Sequence, residues 1–186
     1  IISNKKIINR ICYVGQISNI KGTNDLIDCF ENLIKQHKDI ELHLVGQLRE
    51  KSFLKRINKF KKIIYHGIKS NRECKKIISD SDIFIYPSKY ISEGYSGAIL
   101  EAMSLGKPII APNWRFFGEI VIDNFNGKLY DITSPEEIIT QINYYIKNPK
   151  MIQIHGKNSF INAKKFDSKY WNKIVYNNLL NKIKND

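Results

Sequence analysis

The stretch DIFIYPSKYISEGYSGAILEAMSLGKPIIA, Asp82 to Ala111, decides the fold. Asp82-Ile83-Phe84-Ile85-Tyr86 is a short β-prone run that Pro87 stops. A helix is expected from about Tyr95 to Leu105, closed by Gly106, with Pro108-Ile109-Ile110-Ala111 as the next strand. Strand, helix and strand with short connections predict parallel strands joined by a crossover helix.

The same alternation extends outward on both sides. Upstream, Arg10-Ile11-Cys12-Tyr13-Val14 ends at Gly15, and Ile40-Glu41-Leu42-His43-Leu44-Val45 ends at Gly46. Ile63-Ile64-Tyr65-His66 ends at Gly67. Between them, Thr23 is read as the cap of a helix carrying Leu26, Ile27, Phe30, Leu33 and Ile34 at helical spacing. A second helix carries Leu48, Phe53, Leu54, Ile57 and Phe60, and Ser70-Asn71-Arg72-Glu73 is a capping box opening a third. Downstream, Gly127-Lys128-Leu129-Tyr130 is a last strand, and Ser134-Pro135-Glu136-Glu137 is a helix start. Further helices are expected over 149–163 and 168–183. The fold class is α/β, a Rossmann-like parallel sheet with helices on both faces. It is divided into a domain over 1–166 and a C-terminal helix over 167–186. Such sheets bind ligands beyond the carboxyl ends of their strands, which directs attention to loops 15–22, 46–48, 67–70 and 87–97.

The 186 residues suffice for one such domain, and 42% hydrophobic residues argue against a disordered chain. No apolar run approaches the roughly 20 residues of a membrane span. Ile1 to Lys6, with no initiating Met and no signal-peptide core, reads as a cut inside a longer chain. The formal charge of +12 attracts phosphate of any kind, but Lys is scattered and over-used together with Ile and Asn. That pattern reads as a bias in the gene. No helix-turn-helix, zinc-finger or aromatic RNA-binding signature accompanies it, so nucleic acid is not the expected partner. Cys12, Cys29 and Cys74 make neither a disulfide framework nor a zinc pattern and read as small core residues in a reducing compartment. A cytoplasmic location follows, with basicity suited to the anionic inner face of a membrane.

Three tempting motifs fail. Gly106-Lys107 lacks the earlier glycine and the following Ser/Thr of a P-loop, since Glu101 and Pro108 stand there. Gly15 and Gly22 are too far apart for a dinucleotide-binding fingerprint. Asp80-Ser81-Asp82 resembles a metal-binding pair, but a carboxylate between a helix end and a strand more often caps the chain.

The quoted stretch carries the chemistry. Glu93 precedes a turn that opens a helix, and Gly94 and Gly97 allow close approach of a ligand. The free N–H groups of the first helical turn, near Ser96, Gly97 and Ala98, form an anion site, and Glu101 lies further in. Carboxylates accept hydrogen bonds from sugar hydroxyls, so the combination suits a ligand with both phosphates and hydroxyls. On these residues alone, a solvated Glu93 and a decorative Glu101 fit as well.

Glu93-x7-Glu101 followed by Ala-Met-x-x-Gly-x-Pro-Ile-Ile-Ala resembles the signature of retaining GT-B glycosyltransferases of the group 1, or family 4, type. Val14-Gly15, Lys21-Gly22, Leu44-Val45-Gly46, His66-Gly67, Asp82 to Ser88 and Asn126-Gly127-Lys128-Leu129 fall in the family's order, over roughly residues 10–165. The resemblance implies the C-terminal, nucleotide-sugar-binding half of that two-domain architecture. It implies that Glu101 binds the ribose hydroxyls, and that Glu93 contacts donor-sugar hydroxyls or the adjoining phosphate. Backbone N–H groups of Ser96, Gly97 and Ala98 would hold the diphosphate, with Gly94 and Tyr95 as further donor-binding positions and Gly15, Gln16 and Gly22 as those of the first loop. Lys21 would stabilise charge growing on the leaving nucleotide, and the backbone at Ile68 would meet the base. No metal and no cofactor are implied, the nucleotide diphosphate sugar being substrate. The acceptor would be a glycan or lipid-linked saccharide of bacterial surface polysaccharide, bound largely by an N-terminal domain this chain lacks.

Two positions depart from the pattern. Gln16 stands where the family has Arg, and Gly46-Gln47 lacks a second glycine. Gln16 therefore favours a second reading, a non-catalytic nucleotide- or glycan-binding module that works with a partner chain. A basic nucleic-acid binder is a third. His66 reads as a core or rim residue, and His37, His43 and His155 as surface. Trp114, Phe116 and Phe117 are placed in a loop, as a lid, an acceptor contact, an interface or a buried cluster.

Overall fold

The computed structural model describes residues 8–167 of the chain. The helix expected over 168–183 lies outside them, as does all but the first residue of the segment 167–186. The elements run β1 (Arg10–Val14), α1 (Thr23–Gln36), β2 (Glu41–Val45), α2 (Lys51–Lys59), β3 (Ile63–Tyr65), α3 (Asn71–Asp80) and β4 (Ile83–Ile85). They continue with α4 (Gly97–Ser104), β5 (Ile109–Pro112), α5 (Phe117–Ile120), β6 (Gly127–Tyr130), α6 (Glu137–Lys147) and α7 (Lys150–Ala163).

The strands form one six-stranded sheet in the order β3-β2-β1-β4-β5-β6, and every pairing is parallel. β1 lies in the middle, with Ile11 opposite both Leu42 of β2 and Ile83 of β4. Parallel strands covered on both faces need apolar side chains on both. Ile11, Cys12, Leu42, Leu44, Ile83, Phe84, Ile85, Ile109, Ile110 and Ala111 are accordingly buried. Each large aliphatic or aromatic side chain withdrawn from water there contributes about 1.5–3 kcal/mol. Burial also pushes the Cys12 and Cys29 thiols up to about 12, so both are inert. Cys74, expected in the core, is only half-buried.

Several local expectations change. Thr23 does not cap α1: Gly22, left-handed at φ 67°, holds that place, and the Thr23 hydroxyl donates to the Ser18 carbonyl at 2.9 Å. Leu48 belongs not to α2 but to a parallel bridge with Ile17. Ser134 makes no side-chain cap; α6 begins at Glu137, whose carboxylate accepts from the Asp131 N–H at 3.0 Å. The α3 capping box is present as read, with Ser70 and Glu73 bonded reciprocally. The two carboxylates of Asp80-Ser81-Asp82 diverge. Asp80 pairs with Lys76, and Asp82 accepts from the Asn9 and Arg10 N–H groups at 3.0 Å each, fastening β4 to the start of β1.

His43 and His155, expected at the surface, are buried. His43 Nδ1 lies 2.8 Å from His66 Nε2 with the rings stacked, and desolvation lowers the pKa of both. His155 bonds the Tyr145 hydroxyl at 2.8 Å. It belongs to a polar face of α7 that is turned inward. Ser159 Oγ donates to the Asn126 carbonyl at 2.8 Å, and Asn162 Nδ2 to the Ile120 carbonyl at 3.1 Å. The buried Asn126 side chain accepts from the Ile122 N–H at 2.7 Å and donates to the Ile120 carbonyl at 3.0 Å. These bonds satisfy the irregular backbone before β6, which apolar side chains could not do. The apolar residues Ile154, Phe160 and Ile161 of α7 consequently face outward.

Candidate functional site

β1 is flanked by β2 on one side and β4 on the other, so the chain leaves the centre of the sheet in opposite directions. Beside such a reversal, at the carboxyl edge, open parallel sheets bind their ligands. Here the loops at that edge are 15–22 after β1 and 86–96 after β4.

The first loop is shaped by contact. Gly15 lies against the Tyr13 ring, whose hydroxyl donates to the Gln16 carbonyl at 2.7 Å. A 3₁₀ turn over Asn19–Lys21 then brings Gly22 onto the backbone of Pro87, where a Cβ would sit 1.9 Å from the Pro87 carbonyl oxygen. The Lys89 N–H donates to the Ile20 carbonyl at 3.1 Å, and Lys89 pairs with Asp25. The two loops are therefore joined at backbone level before any side chain reaches between them.

Across that seam Lys21 Nζ meets Glu93 Oε2 at 2.6 Å, with both side chains largely withdrawn from solvent. Ser88 Oγ, fully buried, donates to the same oxygen at 2.5 Å, and the Tyr86 hydroxyl approaches Glu93 Oε1 at 3.4 Å. Lys21 also lies over the Tyr90 ring, 4.5 Å from its centre. Burial pushes the Tyr86 hydroxyl up to about 12, and the Glu93 charge adds to the effect, so Tyr86 stays a donor at neutral pH. The Glu93 N–H donates to the Tyr90 carbonyl at 3.0 Å, closing the turn that presents the carboxylate.

α4 begins directly after this turn. Ser96 is its N-cap but makes no side-chain cap bond, and no acidic residue stands in the first turn. The first backbone donor engaged inside α4 is that of Leu100, to the Ser96 carbonyl. The N–H groups of Gly97 and Ala98 thus head the helix with its positive dipole end. Among the described residues a Cβ on Gly94 or Gly97 would meet nothing within 4 Å, so none of them requires glycine there. Tyr95 is half-exposed; its hydroxyl donates to Glu119, which raises its pKa, and its ring leans on Phe116 and Phe166. Of the aromatic trio, Phe117 is buried in α5, edge-on to Tyr86, Trp114 is half-buried and Phe116 is exposed.

Glu101, one turn inside α4, faces α3. It accepts from Asn71 Nδ2 at 3.0 Å and pairs with Lys75 at 3.5 Å. Lys21, Glu93 and the head of α4 therefore form one cluster, while Glu101 is held separately on the α3 side. Ile68, beyond β3, is among the most exposed apolar residues at 73%. Gln16 turns toward the loop after β2. With its amide oxygen facing the guanidinium, it accepts from Arg49 Nε at 2.6 Å and Nη2 at 3.0 Å.

Sequence reasoning missed Ser88, Tyr86, Asn71, Lys75 and Arg49. Ser88 and Tyr86 lay within the decisive stretch, but their convergence on Glu93 depends on the turn. Arg49 lies one residue past the loop boundary drawn at 48.

Residues 3–161 match the family model for glycosyl transferases group 1. The chain is 35% identical over 154 residues to an uncharacterized glycosyltransferase of Methanocaldococcus jannaschii, covering 81% of this chain and 39% of that protein. It is 30% identical over 179 residues to the O-antigen biosynthesis glycosyltransferase WclY of Escherichia coli, covering 91% and 47%. The chain thus spans less than half the length of these relatives. Among solved structures, Anabaena HepE in complex with UDP-glucose superposes with a TM-score of 0.80 at 21% identity, over 94% of this chain and 49% of that one. The fold is that of one half of a GT-B glycosyltransferase.

Proposed function

The chain belongs to the glycosyl transferases group 1 family, and on that premise we propose that it is the donor-binding half of a retaining hexosyltransferase. The complete enzyme would move a sugar from a nucleotide diphosphate sugar to a glycan or lipid-linked acceptor. The observation that carries this reading is the Lys21–Glu93 pair set beside the uncapped N-terminus of α4, in the crevice at the sheet's reversal.

In this reading the diphosphate lies across the N–H groups of Ser96, Gly97 and Ala98, with the open space beside Gly94 and Gly97 leaving room for it. Lys21 faces the leaving diphosphate as the bond from the anomeric carbon to its oxygen breaks, and offsets the charge that grows there. Glu93, already oriented by Ser88 and Tyr86, accepts from donor-sugar hydroxyls. Glu101, steadied by Asn71 and Lys75, takes the ribose hydroxyls, and the backbone at Ile68 meets the base. Fixed backbone dipoles and Lys21 do the charge work, so the proposal is metal-independent. An O-antigen relative supports a role in surface polysaccharide assembly on the cytoplasmic side of a membrane, where the net charge favours contact with anionic lipid.

Calorimetric titration with UDP, GDP and ADP and their sugars tests the reading. Binding of one base class is expected; no binding of any at millimolar ligand would sink it. The neutral Gln16 favours a second reading, a non-catalytic binding module acting with a partner. Its signature is nucleotide binding without transfer by the longer protein that contains this chain.

A further inference from the structure

Resting on the donor-binding reading, we infer that Arg49, held in place by Gln16, supplies a second cation to the phosphate site from the loop after β2. The only cation in loop 15–22 is Lys21, and it is paired with Glu93 at 2.6 Å. That pair carries no net charge, whereas a nucleoside diphosphate carries at least two negative charges. The head of α4 offers the equivalent of about half a positive charge. More positive charge is required, and residue 16 does not bring it.

Arg49 does. The Gln16 side chain grips one edge of its guanidinium, Nε at 2.6 Å and Nη2 at 3.0 Å. That edge uses two of the five N–H donors, leaving three directed elsewhere. The holder is a neutral amide, so the charge of Arg49 is oriented without being cancelled; a carboxylate there would orient it and cancel it. The backbone fixes the same geometry. The Ile17 N–H donates to the Gln47 carbonyl at 2.8 Å and the Arg49 N–H to the Ile17 carbonyl at 3.0 Å. These bonds fasten the loop after β2 to the loop that carries Lys21. A planar fork with free donors is suited to bidentate contact with phosphate oxygens. Gln16 is then a positioning residue, and the cation lies on the neighbouring loop.

The test is titration of UDP and UMP into the 186-residue chain, with GDP or ADP in place of UDP if the wild type binds that base. Arg49→Gln is expected to weaken the diphosphate about tenfold, from the loss of one charge-assisted contact, and the monophosphate less. The exchange Gln16→Arg with Arg49→Gln is expected to restore affinity to within about threefold of wild type. Arg49 is exposed, so an unchanged melting midpoint in Arg49→Gln accompanies the expected result. Wild-type diphosphate affinity in Arg49→Gln, or no recovery in the exchange, overturns the inference and leaves the donor-binding reading intact. Absence of any nucleotide binding by the wild type overturns both.

Discussion

Lys21 Nζ and Glu93 Oε2 lie 2.6 Å apart, so the cation of the first loop and the carboxylate beyond β4 are each other's counter-ion. A phosphate entering the crevice must compete with Glu93 for Lys21. Lys21→Ala is expected to weaken UDP binding ten- to a hundredfold, the worth of a charge-assisted hydrogen bond to phosphate. Glu93→Gln is expected to bind UDP at least as tightly as wild type while losing preference for UDP-sugar over UDP. Calorimetry reads both; a Lys21→Ala chain with wild-type affinity contradicts the assignment.

Gly22 combines φ 67° with a backbone contact that leaves no room for a side chain. Gly22→Ala is expected to cost about 3 kcal/mol, from left-handed strain of roughly 1–2 kcal/mol and a displaced Pro87. In a chain of this size the melting midpoint should fall by about 6–12 °C. A shift under 2 °C, roughly what a surface change produces, speaks against a rigid seam.

The His43–His66 pair gives an acid-sensitive contribution to stability. Burial lowers the pKa of both rings; the Arg10 charge presses on both and the Lys69 charge on His66, while Glu41 partly opposes this at His43. The folded state therefore binds protons less readily than the unfolded chain. This contribution is fully present above the ordinary histidine value of about 6.5 and is lost as pH falls below it. The double variant His43→Phe/His66→Phe keeps stacked rings without titrating. Its melting midpoint is expected to fall less steeply between pH 7 and 5 than that of wild type, in scanning calorimetry at matched ionic strength. Parallel curves dismiss the pair as the source.

The inward polar face of α7 makes an inverted mutational pattern. Ser159→Ile and Asn162→Leu each remove one of two donors to a buried carbonyl and put an apolar side chain into a packed polar site, and are expected to cost about 1 kcal/mol or more each. Ile154→Lys and Ile161→Lys, although apolar-to-charged changes within a helix, are expected to stay within about 0.5 kcal/mol of wild type. Urea unfolding midpoints compare the two pairs, and the opposite ranking refutes the orientation of the helix.

The six strands were legible because a doubly covered parallel strand leaves a near-continuous apolar run, whereas their order in the sheet came only from the structure. Ile83-Phe84-Ile85 against Pro87 and Leu42-His43-Leu44-Val45 against Gly46 are such runs. Glu93, Lys21 and the head of α4 were legible through motif order. Other features turn on contacts between distant segments. The α7 face follows the needs of the Asn126 turn rather than hydrophobic period, so the helix expected over 149–163 did not disclose that Ser159 and Asn162 face inward. His43 sits in an apolar strand, and only its alignment with His66 explains its burial. The Gln16–Arg49 contact joins two loops that meet only once β1 and β2 are side by side.

The seam between the central loops is held by main-chain atoms: Gly22 against Pro87, and the Lys89 N–H on the Ile20 carbonyl. Main-chain contacts do not depend on which side chains stand at 68, 91 or 92. Those positions are free to drift under selection for a different base, sugar or acceptor without reopening the frame that holds Lys21 beside Glu93. Divergence of substrate can then proceed at the rim, one residue at a time, through intermediates that stay folded.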